Sequence, residues 1–389
     1  MRITRAIMIL LLCALLSLSG CNSQHEINTL AIVMGVGIDD VEGTHQHKIT
    51  TQVAKASSLK ASSGEGGADQ SDSAYINAQY ESDGLFPAIQ SMGRFTSRDL
   101  YFSHNQIILA GRAVAERDIG GLLDFFTRDY EGRLNTAFAV ADGRAEDFLK
   151  EETQIEKLPA VHLRNLLDAQ VTMSASAPST LREFLIATLS KTTAPVAPLI
   201  ELFKDQEDKT KARIGGTAVF KGGRMIGSID NSDTRALLWV AGRMERGSLE
   251  VSALGGNLSF DLLESTSRVS PILRDGRFSI EITIDQVLRI AEARNVEGLM
   301  KVENVDVLDA HASQAIERAV RSAIEHAQSL NADVFGFGEM IRRHHPIKSR
   351  ALIAAWDEEF PNLVVDVRVN ASVRSTGSAT APIAPGGSS

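Results

Sequence analysis

Thiol chemistry is nearly absent from this chain: among 389 residues, Cys13 and Cys21 are the two cysteines. A disulfide framework and a cysteine-ligated zinc site are both excluded, so stability has to come from apolar cores. The length and a hydrophobic content of 43% can supply them. Positive charge is in deficit too, with 40 Lys and Arg against 49 Asp and Glu for a net charge of −9. That balance excludes a nucleic-acid binder and a protein held electrostatically on anionic lipid, because both need a basic surface. Aromatic residues make up 5% of the chain and include two tryptophans, which leaves few rings to line a solute cleft.

The N-terminus carries the strongest signal. Arg2 and Arg5 precede an almost wholly apolar stretch from Ile7 to Leu16, shorter than the ~20 residues a spanning helix needs and typical of a secretory signal. Leu18-Ser19-Gly20-Cys21 closes it. Small side chains at Ser19 and Gly20 let the backbone lie extended in a signal peptidase cleft, and the Cys21 thiol is the one nucleophile there able to take a diacylglyceryl group. The run resembles the lipobox of bacterial lipoproteins. Leu18, Ser19 and Gly20 are then recognition residues and Cys21 the site of lipid attachment, with a diacylglyceryl group and, in some lipoproteins, a further N-acyl chain. Two acyl chains, at roughly 0.8 kcal/mol per buried methylene, hold a protein stably on a membrane. Cleavage before Cys21 removes Cys13 and both arginines and makes the mature chain more acidic still, so lipid has to serve as the anchor.

Downstream, strand-like and helix-like patterns alternate. Leu30 to Met34 and the alternating Ile49, Thr51 and Val53 read as a hairpin, and residues 57–73 as a polar surface loop. Leu85, Phe86, Ile89 and Met92 have helical spacing, as do Ile119, Leu122, Leu123 and Phe126. Gln106–Ala110 and Thr136–Ala141 read as strands, and Ala145, Phe148 and Leu149 as a helix. Residues 174–198 loosen around Pro178, Pro195 and Pro198, which suggests a domain boundary. Beyond it, Lys221-Gly222-Gly223 joins two strands, Asp233 is placed to cap a helix, and strands are expected at Leu258–Leu263, Phe278–Ile284 and Leu363–Val369. From His311 to Leu330 one apolar stripe runs through Ala312, Ile316, Val320, Ile324 and Ala327, predicting a helix that ends near Asn331. A Ser, Gly, Pro and Ala tail from about residue 374 reads as disordered.

No set of residues points firmly to catalysis or metal binding. Gly35-Val36-Gly37 follows a strand, but Asp40 stands at the third glycine position of a dinucleotide fingerprint and no helix follows, so a turn or bulge is expected. His45 with His47, and His344 with His345, lack further ligands at a metal spacing and read as solvated loop histidines. Ser103, His104 and Asp129 are the residue types of a hydrolase triad without a nucleophile elbow. Arg128-Asp129-Tyr130-Glu131-Gly132-Arg133 suggests ion pairing at a helix end. In Asp333-Val334-Phe335-Gly336-Phe337-Gly338 the aromatics point one way and the glycines allow close backbone approach, which favours packing between layers or domains. No catalytic, metal or cofactor site is expected, and no enzymatic activity.

Several blocks nevertheless occur in a recognisable order. The lipobox, Glu26-Ile27 and Leu30 through Asp39 resemble the N-terminal signature of the Ger(x)C spore germination lipoproteins. Phe102 through Leu109 with Gly111, Leu122 through Phe126 with Arg128 through Arg133, Gly216 through Lys221 with Gly227 and Trp239, and Asp333 through Gly338 with Trp356, Phe360 and Pro361 are similar to that family's later blocks. One departure is Asn22-Ser23-Gln24-His25, where the family usually carries Trp and Asp.

The resemblance implies an α+β, three-domain lipoprotein with mixed or antiparallel sheets flanked by helices. Its expected divisions are a signal peptide at 1–20, an N-terminal α/β domain at 21–190, a middle domain at 191–265, a C-terminal α+β domain at 266–373 and a tail at 374–389. It implies a non-enzymatic subunit of a nutrient germinant receptor on the outer leaflet of the spore inner membrane, held there by lipid. Its expected partners are the two other receptor subunits, both polytopic membrane proteins. The alternative is a solute-binding lipoprotein of an ABC transporter, which would need two similar lobes around a cleft.

Overall fold

The computed structural model describes residues 30–55, 73–128, 133–153, 155–177, 180–294, 296 and 302–375. Cys21, the lipobox, the 57–73 loop except Ser73, Asp129 and the C-terminal tail beyond Ser375 lie outside them. The described residues form an α+β fold of two unlike sheets.

The first sheet is mixed and runs in the order β3-β2-β1-β5-β6-β7-β8-β9, with β4 pairing alongside β1. Its strands are β1 (Leu30–Asp40), β2 (His47–Ala54), β3 (Tyr75–Ser82), β4 (Asp99–Tyr101), β5 (Ile107–Gly111), β6 (Ala137–Ala141), β7 (Val196–Lys204), β8 (Thr210–Lys221) and β9 (Arg224–Ile229). The middle strands β1, β5, β6 and β7 are parallel, and the outer pairs are antiparallel hairpins. Helices cover both faces, so the two innermost strands, β5 and β6, are buried and apolar at every position. Ile108, Ala110, Phe138 and Val140 face one core. Ile107, Leu109, Ala139 and Ala141 face the other.

Helices α1 (Leu85–Met92), α2 (Arg112–Arg117), α3 (Gly120–Arg128) and α6 (Leu181–Thr188) supply the first core, through residues such as Met92, Val114, Leu123 and Phe184. Helices α4 (Ala145–Phe148) and α5 (Pro159–Thr172) supply the second, through Phe148, Ala160, Leu163 and Leu167. Helix α5 had no counterpart in the sequence reading. Helix α6 lies within the stretch read as a loosened boundary, and is fixed there by a capping box between Thr180 and Glu183. Strands β7 to β9 extend the first sheet, so the expected division at residue 190 falls inside one sheet. The expected division at 265 falls inside a single strand, described next.

The second sheet runs β10-β11-β12-β13, with strands at Ser248–Ala253, Gly256–Arg274, Arg277–Arg294 and Val364–Ser375. β11 and β12 form one long hairpin closed by Asp275 and Gly276, both at positive φ (50° and 79°), as an Asp-Gly turn favours. The sequence reading marked only Leu258–Leu263 and Phe278–Ile284 of that hairpin; β11 beyond Leu263 is exposed or half-buried, while β12 goes on burying Gln286, Leu288 and Ile290. Helix α7 (Asn231–Val240) precedes this sheet, and its N-cap is Asp230 rather than Asp233. Asp233 lies in the first turn and meets His326 at 2.7 Å.

Helix α8 (Val302–Ser329) begins nine residues before the expected start and ends as predicted, with Asn331 left-handed at φ 49°. Leu308, Ala312, Ile316, Val320 and Ile324 face the core. Along the edge strand β13 the helix also satisfies backbone groups: Asp309 and Ser313 accept from Val373 and Ala371 N–H, and Arg321 donates to the Val367 carbonyl. An edge so occupied is closed to pairing with another chain.

Gly35 marks the expected irregularity, since the β1–β2 register shifts between Val33 and Gly35. A Cβ there would sit 2.6 Å from Ala160 Cβ and 3.3 Å from Leu149 Cδ2. Gly35→Ala is therefore expected to push α5 off the sheet and cost about 1–3 kcal/mol. In urea unfolding, a double-mutant cycle with Ala160→Gly should recover part of that loss, and strict additivity would contradict the contact.

Candidate functional site

Two buried aspartates organise the residues of the recurring blocks. Asp39, at the end of β1, is 2% exposed, and its two carboxylate oxygens accept from Ala145 and Glu146 N–H at 2.6 and 2.9 Å. It thereby holds the start of α4, where unpaired amides favour an anion. Burial raises its pKa, and the two amide bonds partly oppose the rise. Beside it, buried Gln52 accepts from Ala160 N–H at the start of α5 and donates to the Leu149 carbonyl. Glu146 is surrounded by Lys48, Lys150, Arg144 and Gln79. Burial raises its pKa, but Lys150, Lys48 and Gln79 outweigh that effect and hold it at about 2.

Asp333 lies where the two sheets meet. Its backbone carbonyl accepts from Ala194 N–H at 2.9 Å, in a parallel bridge with Thr193. Its side chain, 2% exposed, accepts from Phe337 N–H (3.0 Å) and Gly338 N–H (2.8 Å) at the start of α9 (Phe337–His344). Burial pushes the carboxyl up to about 7 despite those amides. The expected close approach is at Gly338, where a Cβ would lie 2.5 Å from Thr192 Cβ and 2.7 Å from Trp356 Cε2. Phe335 and Phe337 stack with centroids 5.1 Å apart, though the segment is a helix entry and not an alternating strand. Lys221, from the end of β8, donates to the Asn331 carbonyl at 3.0 Å and pairs with Asp357 at 2.8 Å. Trp239 Nε1 donates to buried Gln286, which fixes α7 to β12.

The other candidates fall apart in space. His47 is a correction: it lies in β2, 8% exposed, with Arg117 Nη2 at 3.2 Å, and is no solvated loop residue. Burial, then Arg117, lowers its pKa. His45 is exposed, and His344 Nδ1 meets the Met340 carbonyl. His104 lies near the Tyr101 ring. Arg128 pairs with Asp124, and residues 129–132 lie outside the described set. Among the described residues, no three His, Cys, Asp or Glu side chains form a metal-sized group. Among the described residues the two sheets differ in strand number and helix cover and do not form two similar lobes.

Comparison with known proteins agrees with the order of the blocks. Residues 23–202 match the model for the spore germination protein N-terminal domain, and residues 215–377 match that for the spore germination B3/GerAC-like C-terminal domain. The chain belongs to the Ger(x)C family of spore germination proteins. Two Bacillus subtilis (strain 168) relatives align nearly end to end with this Ger(x)C protein. They are the putative spore germination protein YfkR, 24% identical with 94% of both chains covered, and spore germination protein KC, 23% identical with 96% of both covered. The crystal structure of the GerBC protein shares the fold, with a TM-score of 0.57 at 16% identity, covering 88% of this chain and 96% of that one. In this chain the first and last of the blocks form the strand-to-helix contact at Asp39 and the joint around Asp333. Sequence reasoning recognised both blocks but missed what the aspartates do, for which the glycines beside each were the available signal.

The Asp333 joint has a pH signature. The carboxyl titrates near 7 when folded against an ordinary value of 3.8, so over that interval the native state binds the extra proton. Its contribution to stability is full below the unfolded value and is lost as pH rises through 7. Urea midpoints should fall for the wild-type chain between about pH 5 and pH 8, and Asp333→Asn should flatten that slope. Identical slopes in both proteins would contradict the assignment.

Proposed function

We propose that this protein is a non-enzymatic, lipid-anchored subunit of a spore nutrient germinant receptor, required for receptor assembly and the germination response. The observation that carries this reading is the consecutive match to both family domains, over residues 23–202 and 215–377. The lipid is assigned to Cys21 from Leu18-Ser19-Gly20-Cys21 and the short apolar segment before it. Among the described residues no helix is long and apolar enough to cross a membrane. Attachment through acyl chains would place the two sheets on the outer leaflet of the spore inner membrane, beside the polytopic subunits. An accessory subunit there acts through contacts that differ between the resting and triggered receptor.

Cys21→Ala separates this reading from that of a freely soluble protein. In spores, the variant should lose acylation by mass spectrometry, leave the membrane fraction and lower receptor abundance and nutrient response. An unmodified thiol at the mature start of the wild-type protein, or normal germination with the unlipidated variant, would contradict the proposal.

A further inference from the structure

A cavity of about 1280 Å³ opens along the joint, between α6, the 189–196 segment, α7, β11 and the chain from Val334 to Ala354. Its walls are largely apolar and include Leu237, Val240, Val269, Phe335 and Ile353. Its charge runs against that of the protein: five cations, Lys191, Arg243, Arg342, Arg343 and Arg350, outnumber Glu183 and Glu339 on a chain of net charge −9. Glu183 pairs with Arg243, and Glu339 takes both Arg342 and Arg343. Lys191 and Arg350 are left with no carboxylate partner among the described residues.

Each of these two cations adjoins a buried hydroxyl that also lines the cavity. Thr192 is 7% exposed and Ser349 0%, and neither hydroxyl has a hydrogen-bond partner among the described residues. Their backbones are satisfied: Thr192 N–H donates to Ser190 Oγ, and Ser349 N–H to the His345 carbonyl. Buried hydroxyls without partners are uncommon and costly. Here two occur beside two unpaired cations, in segments drawn from opposite sides of the joint.

We propose that this cavity binds a small amphipathic anion, with Lys191 and Arg350 holding a carboxylate or phosphate head, the hydroxyls of Thr192 and Ser349 donating to it, and an apolar body lying against Val240, Val269 and Phe335. Such a ligand touches segments on both sides of the joint and stabilises the folded chain increasingly as its concentration rises above its dissociation constant. A free metabolite and a lipid present the same head-group chemistry, and the test below separates them. The assignment stands apart from the receptor reading, since it concerns binding by the isolated chain.

The test is thermal unfolding of the full chain in phosphatidylcholine nanodiscs with hexyl phosphate, hexanol or inorganic phosphate. Hexyl phosphate should raise the midpoint with dose, and the other two should not at equal concentration. Lys191→Ala combined with Arg350→Ala should weaken the response at least about tenfold, as expected for loss of charge-assisted hydrogen bonds, with little change in the unliganded midpoint. Thr192→Val and Ser349→Ala should each weaken it without lowering unliganded stability. In phosphatidylglycerol nanodiscs, loss of the hexyl phosphate response together with a raised starting midpoint assigns the natural head group to lipid, and a retained response assigns it to a free anion. Equal stabilisation by hexanol, no response to hexyl phosphate in phosphatidylcholine, or an undiminished response in the double cation variant would overturn the proposal. The wild-type comparison of probes decides the matter even if a variant fails to fold.

Discussion

The contact between the Asp333 backbone and Ala194, together with the two amides its side chain receives, governs how the two sheets are set against each other. A carboxyl 2% exposed is expensive to bury, and among the described residues it has no ion-pair partner to offset the cost. Backbone N–H groups take that role. The start of a helix has amides with no partner of its own, so the carboxyl and α9 each supply what the other lacks. Neutral side chains fit less well: Asn has one acceptor oxygen for two amides, and Ala leaves both unpaired.

The first sheet uses the same device. Asp39 ends a strand and receives two adjacent amides of α4, as Asp333 receives two of α9. Each aspartate has glycines nearby: Gly111, whose Cα lies against Asp39, and Gly338, whose Cα lies against Thr192 and Trp356. Short-range packing and a charge-assisted cap thus depend on each other, because a side chain at either glycine would force the helix away from its acceptor. In this chain, then, the two blocks that pair an aspartate with a nearby glycine each hold a helix entry in place.

Much of the fold was legible because burial alternates simply. The run Ile107 to Gly111, with an apolar layer on each side, and the α8 stripe from Ala312 to Ala327, buried along one face, announced themselves. What failed to show had mixed surroundings. Helix α5 buries only Ala160, Leu163 and Leu167 on one narrow stripe, too sparse to stand out among His162, Arg164 and Asn165. β11 continues well past Leu263, where its side chains are exposed or half-buried, because backbone pairing with β12 and the Asp275-Gly276 turn sustain it, and neither depends on hydrophobic side chains. Pro271 is tolerated there, since that part of β11 pairs only with β12. The cavity was invisible for another reason: Lys191-Thr192 and Ser349-Arg350 are unremarkable dipeptides until folding brings both to line one cavity.

Chain length connects the joint to the proposed anchor. Eight residues, 22–29, separate Cys21 from the start of β1, and fully extended they reach at most roughly 30 Å. β1 is an inner strand of the first sheet, so a lipid at Cys21 would tether that sheet close to the membrane. The second sheet has no tether of its own at that end. It is held by the continuous core that unites Val219 and Ile229 with α7 and α8, and by the Asp333 contacts. With the proposed anchor in place, an influence that alters the joint, whether proton, ligand or neighbouring subunit, would change where the second sheet stands relative to the bilayer while the first kept its place. Any shift so produced is bounded by the difference in binding free energy between the two arrangements. A carboxyl titrating near neutrality in that joint makes proton uptake one such contribution.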